Sequence, residues 1–204
     1  MKKLVISMVC AAFAFSLQGC KKEAEVKSNT KEVMTFEEII TNRYSCKRFK
    51  ADAQLSKEQL NTILEAGRKA PTAKNLQEQH VYVVQTPENL AKIDSVTPCR
   101  YGAPTCLIVA FNKKDVFVYP GEKQDSGVED ATIVATHMLL AAESIGVNSC
   151  WLNFFDPDKV AAEFGIPETE QVLMIMDLGF AAEGTGPLQS HFDRKPLEET
   201  VTYL

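Results

Sequence analysis

The sequence has no excess of positive charge, since 22 lysines and arginines stand against 27 aspartates and glutamates, for a formal net charge of −5 at pH 7. Proteins that hold nucleic acid through its backbone need a basic surface to neutralise the phosphates. We therefore expect no nucleic-acid partner.

The sequence also lacks the spacing of a metal site. It contains no Cys-x-x-C pair, and its three histidines, His80, His137 and His191, are scattered along the chain. Structural zinc sites and thioredoxin-like dithiols both depend on closely spaced cysteines or histidines. We predict no metal site, and we expect each histidine to be structural or to lie on the surface.

The composition that remains is that of a globular protein. Hydrophobic residues make up 45% of the 204 residues and charged residues 24%. These fractions indicate a folded chain and exclude a disordered one. The length suits one domain of ordinary size.

The N-terminus has the pattern of an export signal. Lys2 and Lys3 form a basic start, residues 4–17 are apolar, and Leu17-Gln18-Gly19-Cys20 resembles a bacterial lipobox. The apolar stretch is shorter than the roughly 20 residues that a membrane-spanning helix needs. A plain secretory signal and an uncleaved anchor are the alternatives to a lipoprotein signal.

These features predict three regions. Residues 1–19 form a lipoprotein signal peptide, and Cys20 becomes the lipidated first residue of the mature chain. Residues 20–34 are polar and form a flexible tether. The tether would hold a domain of residues 35–204 on a membrane of the cell envelope, on its periplasmic or surface face.

Periodicity and capping signals predict the elements of this domain. Thr35 with Glu38, and Ser56 with Gln59, have the spacing of capping boxes that begin helices. Pro71 ends the second of these helices. Further helices are expected at 87–93, 127–145 and 157–164, and strands at 81–84, 106–111, 149–155 and 172–178. Helices and strands alternate, which favours a single α+β domain.

One short segment, 43–49, has the residues of an anion site. Side chains at alternate positions of an extended segment share a face, so Arg43, Ser45 and Lys47 would surround one ligand with two cations and a hydroxyl. Such groups form strong, charge-assisted hydrogen bonds with phosphate. We call these three residues the anion cradle. The alternative is a solvated basic turn.

Four cysteines remain in the mature chain after Cys20. Cys106 lies in an apolar run and Cys150 adjoins Trp151, so both are expected in the core. Cys46 would point away from the anion cradle. Export makes disulfides feasible, although a bridge between Cys99 and Cys106 is not expected.

Several motifs, taken in order, resemble the nitroreductase family of FMN-dependent oxidoreductases. The family places an Arg-x-Ser-x-Arg/Lys segment after its first helix, as in residues 43–47, and a proline-led loop with an Asn, as in 71–75. A Cys-Trp strand follows at 149–152, and Asp130 with Ala131 stands at the start of the family's long helix. A basic pair before Pro-Leu-Glu-Glu, here 194–199, comes last.

The resemblance implies roles for particular residues. The cofactor contacts are expected from Arg43, Tyr44, Ser45, Lys47, Asn75, Trp151, Leu152, Arg194 and Lys195. The first residues of the segment would hold the flavin phosphate and ribityl chain, Lys47 the pyrimidine edge, and Asn75 the isoalloxazine edge. The chain departs from the family pattern at one point, since Glu78 and Gln79 stand where a proline and an aromatic residue are usual.

The resemblance also implies a fold and an activity. The fold is a central, mostly antiparallel sheet flanked by helices, in a homodimer with C-terminal arm exchange. The activity is electron transfer from a reduced donor, NAD(P)H or another, to a nitroaromatic or quinone-like acceptor by a ping-pong mechanism. No side chain is expected to be catalytic in its own right, because the chemistry is centred on the flavin. The alternative is a lipid-anchored flavin-binding or electron-transfer protein without small-molecule turnover.

Overall fold

The computed structural model describes residues 33–204. The predicted signal peptide, the lipidation site at Cys20 and nearly all of the predicted tether lie outside these residues. Within the described part of the chain, no helix combines the length and the apolar character that crossing a membrane requires.

A four-stranded antiparallel sheet forms the centre of the domain. Its strands are β1 (Gln79–Val84), β2 (Thr105–Asn112), β3 (Asn148–Leu152) and β4 (Glu170–Gly179), in the spatial order β1-β2-β4-β3. The predicted α+β fold with an antiparallel sheet is confirmed. β2 is apolar and buried almost from end to end because it lies inside the sheet with a neighbour on each side.

Within residues 33–204, five α-helices flank the sheet. They are α1 (Phe36–Asn42), α2 (Lys57–Arg68), α3 (Pro87–Val96), α4 (Gly127–Ser144) and α5 (Pro157–Phe164). Both predicted capping boxes are present, at Thr35 before α1 and at Ser56 before α2. Each box satisfies backbone donors that a helix start leaves unpaired.

The two faces of the sheet carry separate apolar clusters. On one face, α2 and α4 pack together with side chains such as Ile63, Val134 and Met138. The helices approach closely at Gly67, where an added Cβ would lie 2.7 Å from Cγ of Met138. On the other face, α3 and α5 contribute Ile93 and Val160 to the second cluster.

Residues 43–50 run beside the sheet as an extended segment. The backbone N–H of Cys46 donates to the carbonyl of Ser149 at 3.0 Å, and that of Lys50 donates to the carbonyl of Phe180 at 2.8 Å. These hydrogen bonds fix the predicted anion cradle against the start of β3 and the end of β4.

The C-terminal tail has little regular structure within its own chain. Residues 192–204 are exposed and contain only a 3-10 turn, Leu197–Glu199. A strand needs a neighbour to pair with its backbone, and the tail meets no sheet edge within its own chain.

Candidate functional site

The extended segment presents alternate side chains to two environments. Cys46 is fully buried, whereas Ser45 and Lys47 are exposed on the opposite side. Cys46 thus points away from the anion cradle, as predicted, and its burial raises the pKa of its thiol. This alternation follows from the geometry of extended backbone, and Ser45 confirms it by forming an isolated β-bridge to Ser149.

Two cavities adjoin at Ser45 and Lys47. The first, of about 270 Å³, is lined by Tyr44, Ser45, Lys47, Leu188, Ser190 and His191. The second, of about 180 Å³, is lined by Ser45, Lys47, Cys99, Tyr101, Cys150, Trp151, Leu152, Asn153 and Phe154. One cavity offers hydroxyls, a cation and an imidazole, and the other offers aromatic and apolar surface.

A larger groove lies elsewhere, on the outer face of α2. Its volume is about 790 Å³, and its lining mixes Lys57 and Lys69 with Glu58 and Glu65. It is shallow, and none of the predicted site residues lines it. The two smaller cavities are therefore the better candidates for a specific site, because they combine apolar surface with a few convergent polar groups.

Two side chains of the second cavity, Cys150 and Tyr101, are not primed as nucleophiles. Burial, with a smaller effect from Asp177, raises the pKa of the Cys150 thiol to about 12. A hydrogen bond with Cys99, aided by burial, raises the pKa of Tyr101 to about 12. Both groups stay protonated at neutral pH, and a protonated thiol is a poor nucleophile. The ammonium of Lys47 lies 5.7 Å from the centroid of the Tyr101 ring and is the cation of this cavity.

Five of the nine predicted cofactor residues line these cavities, and four do not. Tyr44, Ser45 and Lys47 line the first, and Trp151 and Leu152 join Ser45 and Lys47 in the second.

Arg43 is one of the four, although it belongs to the anion cradle. It is half-buried at the C-terminus of α1. Its charge acts on Glu143, whose pKa burial raises and Arg43 partly brings back down.

The tail cations also lie away from both cavities. Arg194 and Lys195 are exposed, and Arg194 Nη1 donates only to the neighbouring carbonyl of Asp193, at 2.7 Å. Among the described residues of a single protomer, Lys47 is the one lysine or arginine that lines these cavities.

Asn75 lies in the loop at residues 72–77, which follows α2 along the chain. The backbone N–H of Ala73 donates to Asp130 Oδ2 at 2.9 Å, which ties the loop to the start of α4. Asn75 is exposed and has a left-handed φ of 58°. It does not reach either cavity within its own chain.

Sequence reasoning missed several lining residues. His191 was expected to be structural or superficial, yet it lines the first cavity beside Lys47 and Ser190. Tyr101 and Phe154 in the second cavity were also missed. No spacing links these residues to residues 43–49, because only the folding of three distant loops brings them together.

The chain is similar in sequence to known proteins over most of its described residues. The family model described as "Nitroreductase family" matches residues 40–97 and 98–180. A protein of Archaeoglobus fulgidus with the provisional name NADH dehydrogenase/NAD(P)H nitroreductase is 32% identical over 139 residues, which are 65% of this chain and 78% of that protein.

Solved structures agree with the sequence matches. The crystal structure of a nitroreductase family protein from Clostridium difficile 630 is 32% identical and has a TM-score of 0.78, covering 83% of this chain and 98% of that one. A provisionally named nitroreductase from Exiguobacterium sibiricum 255-15, solved in complex with FMN, has a TM-score of 0.72 at 18% identity, covering 84% of this chain and 98% of that one. The second likeness concerns the fold alone.

Proposed function

Because this chain belongs to the nitroreductase family, we propose that it is an FMN-dependent oxidoreductase whose cofactor lies along the extended segment 43–49. The observation that carries the proposal is that Ser45 and Lys47 line both adjoining cavities. FMN has a charged phosphate at one end and a flat aromatic ring at the other, so its site needs one polar and one aromatic compartment.

The residues present fit these two ends. In the first cavity, Lys47, Ser45 and Ser190 would donate hydrogen bonds to the phosphate and ribityl oxygens. In the second, Trp151 and Tyr101 supply apolar surface for the ring. When bound, FMN supplies the chemistry of accepting electrons from a reduced donor and passing them to an oxidised acceptor.

Lys47 has a further part in this site. Lys47 lines both cavities, and its ammonium would lie near the pyrimidine edge of the ring, as the family resemblance implies. A cation there stabilises negative charge on the reduced ring and so favours electron uptake. The protein's contribution is thus to bind, orient and polarise, without a side-chain nucleophile.

We further propose a homodimer with exchange of the C-terminal arms. Exposed apolar side chains support it: Phe36 is 67% exposed on α1, Val128 47% on α4, and Leu197 66% in the tail. A dimer interface that covered these side chains would remove apolar surface from water, which favours association. Arm exchange would bring Arg194 and Lys195 of one protomer to the site of its partner, and dimerisation would bring Asn75 to a shared site.

The donor and the acceptor are proposed from the relatives' names and the open cavity. We propose NAD(P)H as donor and a nitroaromatic or quinone-like compound as acceptor, each occupying the same side of the ring in turn, which gives ping-pong kinetics.

The predicted lipobox at Cys20 favours one alternative, a lipid-anchored flavin-binding or electron-transfer protein without turnover, since nicotinamide cofactors are cytoplasmic. Metabolic labelling of Cys20→Ser and the natural chain with a radioactive fatty acid tests the anchor.

A spectroscopic experiment tests the proposed function. The purified chain is expected to bind FMN, which NADH or NADPH bleaches and a nitroaromatic or quinone recolours, over many cycles. Bound FMN that no small-molecule pair turns over would favour the electron-transfer alternative. A chain that binds no FMN in a titration would refute both.

A further inference from the structure

A buried carboxyl group lies where this chain departs from the family pattern. Glu78 is 4% exposed and directly follows the loop 72–77 that carries Asn75. The proline usual at this position has no side-chain polar atom, so the carboxyl of Glu78 needs a reason of its own to be buried.

The loop above Glu78 is held in an unfavourable conformation. Lys74, Asn75 and Gln77 all have left-handed φ values, of 52°, 58° and 54°. Asparagine tolerates this region, but lysine and glutamine adopt it only when their surroundings impose it. The loop therefore depends on the contacts that hold it.

Those contacts lead to a second buried carboxyl group. Asp130 is 5% exposed, and its Oδ2 accepts the backbone N–H of Ala73 at 2.9 Å. Inside the loop, the N–H of Gln77 donates to Thr72 Oγ1 at 3.0 Å. Asp130 is thus the acceptor that joins the loop to α4.

Glu78 and Asp130 lie in one buried network with Ser126. The hydroxyl of Ser126, one turn before Asp130, donates to Glu78 Oε1 at 2.8 Å. The other oxygen, Glu78 Oε2, is buried without a hydrogen-bond partner. Burial, with a smaller effect from the neighbouring Asp130, raises the pKa of Glu78. Two neighbouring buried carboxyl groups cannot both ionise at low cost.

The position of each group decides where a shared proton resides. Asp130 lies in the first turn of α4, where the helix dipole favours negative charge, and it accepts a backbone N–H. Glu78 has an oxygen without a partner. A proton on Glu78 Oε2 would let it donate to Asp130 and would leave no orphan oxygen in the network.

We propose that Glu78 and Asp130 share one proton and together act as positioning residues for the loop that carries Asn75. The consequence for flavin binding rests on the function proposed above. The neutral Glu78 keeps Asp130 in place as acceptor for Ala73. Loss of the proton sets two negative charges against each other, and the loop loosens.

The surrounding charges do not replace this proton. In the described residues, neither carboxyl group forms an ion pair with a lysine or arginine. The nearest loop cation, Lys74, instead places its ammonium 4.0 Å from the centroid of the Phe117 ring. Two further carboxylates near the start of α4 have partners of their own. The exposed Glu129 on α4 accepts a hydrogen bond from the hydroxyl of Tyr119 at 2.6 Å, and Asp125, just before α4, accepts the backbone N–H of Gly127 with its Oδ1.

The direction of the pH effect follows. Glu78 binds its proton more tightly in the folded loop than in the unfolded chain. The folded loop is therefore most stable in mildly acidic solution, and its stability falls as the pH rises through the raised pKa of Glu78. FMN affinity is expected to fall over the same range. Glu78→Gln keeps the shape and donates permanently to Asp130, so it should remove this dependence.

The test compares FMN titrations of the full natural chain, Glu78→Gln and Glu129→Gln between pH 5.5 and 9. At each pH, the dissociation constant of the natural chain is divided by that of the variant. Ionisation of the FMN phosphate affects both constants equally, so it cancels in this ratio. Natural chain and Glu78→Gln should bind equally at pH 5.5, and the natural chain at least tenfold more weakly at pH 9. Glu129→Gln, which removes a charge from the same turn, should stay within twofold of the natural chain throughout.

Hydrogen exchange of the Ala73 amide gives a readout without flavin. In the natural chain this exchange should accelerate with pH more steeply than in Glu78→Gln. The shared proton is overturned if two results occur together, even if FMN binds. The ratio of the FMN affinities of the natural chain and Glu78→Gln stays constant with pH, and the Ala73 amide exchanges with the same pH dependence in both chains. Absence of FMN binding at every pH overturns the proposed function and the role in flavin positioning, and the exchange comparison still decides whether the proton is shared. Asp130→Asn, whose amide can donate to an ionised Glu78, should also lose the pH dependence.

Discussion

Asp177 should make the stability of this fold depend strongly on pH. It is fully buried in β4, where its register partners are Cys106 on β2 and Cys150 on β3. The Cys106 thiol donates to Asp177 Oδ1 at 3.3 Å, and Oδ2 has no partner. Burial raises the pKa of Asp177 from 3.8 to about 8, although Cys106 and Arg100 act in the opposite direction.

The sign and the size of the effect follow from linkage. A raised pKa means that the folded protein holds a proton that the unfolded chain has released, so stability is lost as the pH rises from about 4 towards about 8. Each unit is worth about 1.4 kcal/mol. Between pH 5 and pH 9 this one group should therefore cost on the order of 4 kcal/mol of unfolding free energy.

The substitution Asp177→Asn isolates this contribution. Asparagine has nearly the same shape and cannot ionise, so it should match the natural chain at pH 5 and exceed its stability by on the order of 4 kcal/mol at pH 9. Urea unfolding at fixed protein concentration measures the difference at each pH. Asp52→Asn, at an exposed turn, is the matched control and should follow the natural chain. A difference between Asp177→Asn and the natural chain that does not change with pH would refute the reasoning.

Four further substitutions test the site and the fold. Lys47→Gln should weaken FMN binding at least tenfold in a titration, because it removes the cation common to both cavities, whereas Arg43→Gln should have a smaller effect because Arg43 lines neither cavity. His191→Ala should weaken FMN binding in the same titration, because its side chain lines the first cavity; an unchanged dissociation constant would contradict a role for this side chain. Gly127→Ala should lower the free energy of unfolding by roughly 1–3 kcal/mol, as overpacking usually does, because the added Cβ would overlap the ring of Phe111.

The sequence could predict elements whose signals are local. The capping boxes at Thr35 and Ser56 lie within four residues of the backbone groups they satisfy, so spacing alone identifies them. The burial of β2 also follows from its own apolar run. The strand order β1-β2-β4-β3 could not be predicted in this way, because pairing depends on contacts between distant parts of the chain.

The candidate site divides along the same line. Ser45 and Lys47 alternate on one short segment, and their shared face could be predicted from extended geometry. The approach of His191 to Lys47 depends on how the chain returns after β4, which no local pattern encodes. Arg43 shows the converse, since its alternation with Ser45 suggested a shared ligand, yet the helix end places its charge near Glu143.

The residues that depart from the family pattern are also where the described structure is least satisfied. Three side-chain oxygens in the described residues are buried without a partner, and two of them belong to Glu78 and Gln79, where the family usually has a proline and an aromatic residue. Those usual side chains bury at little cost, whereas buried carboxyl and amide oxygens require partners. A shared proton gives Glu78 such a partner in Asp130. Gln79 Oε1, next along β1, is also buried without a hydrogen-bond partner, so both positions that depart from the family pattern place a polar oxygen where the usual side chain would leave none to satisfy.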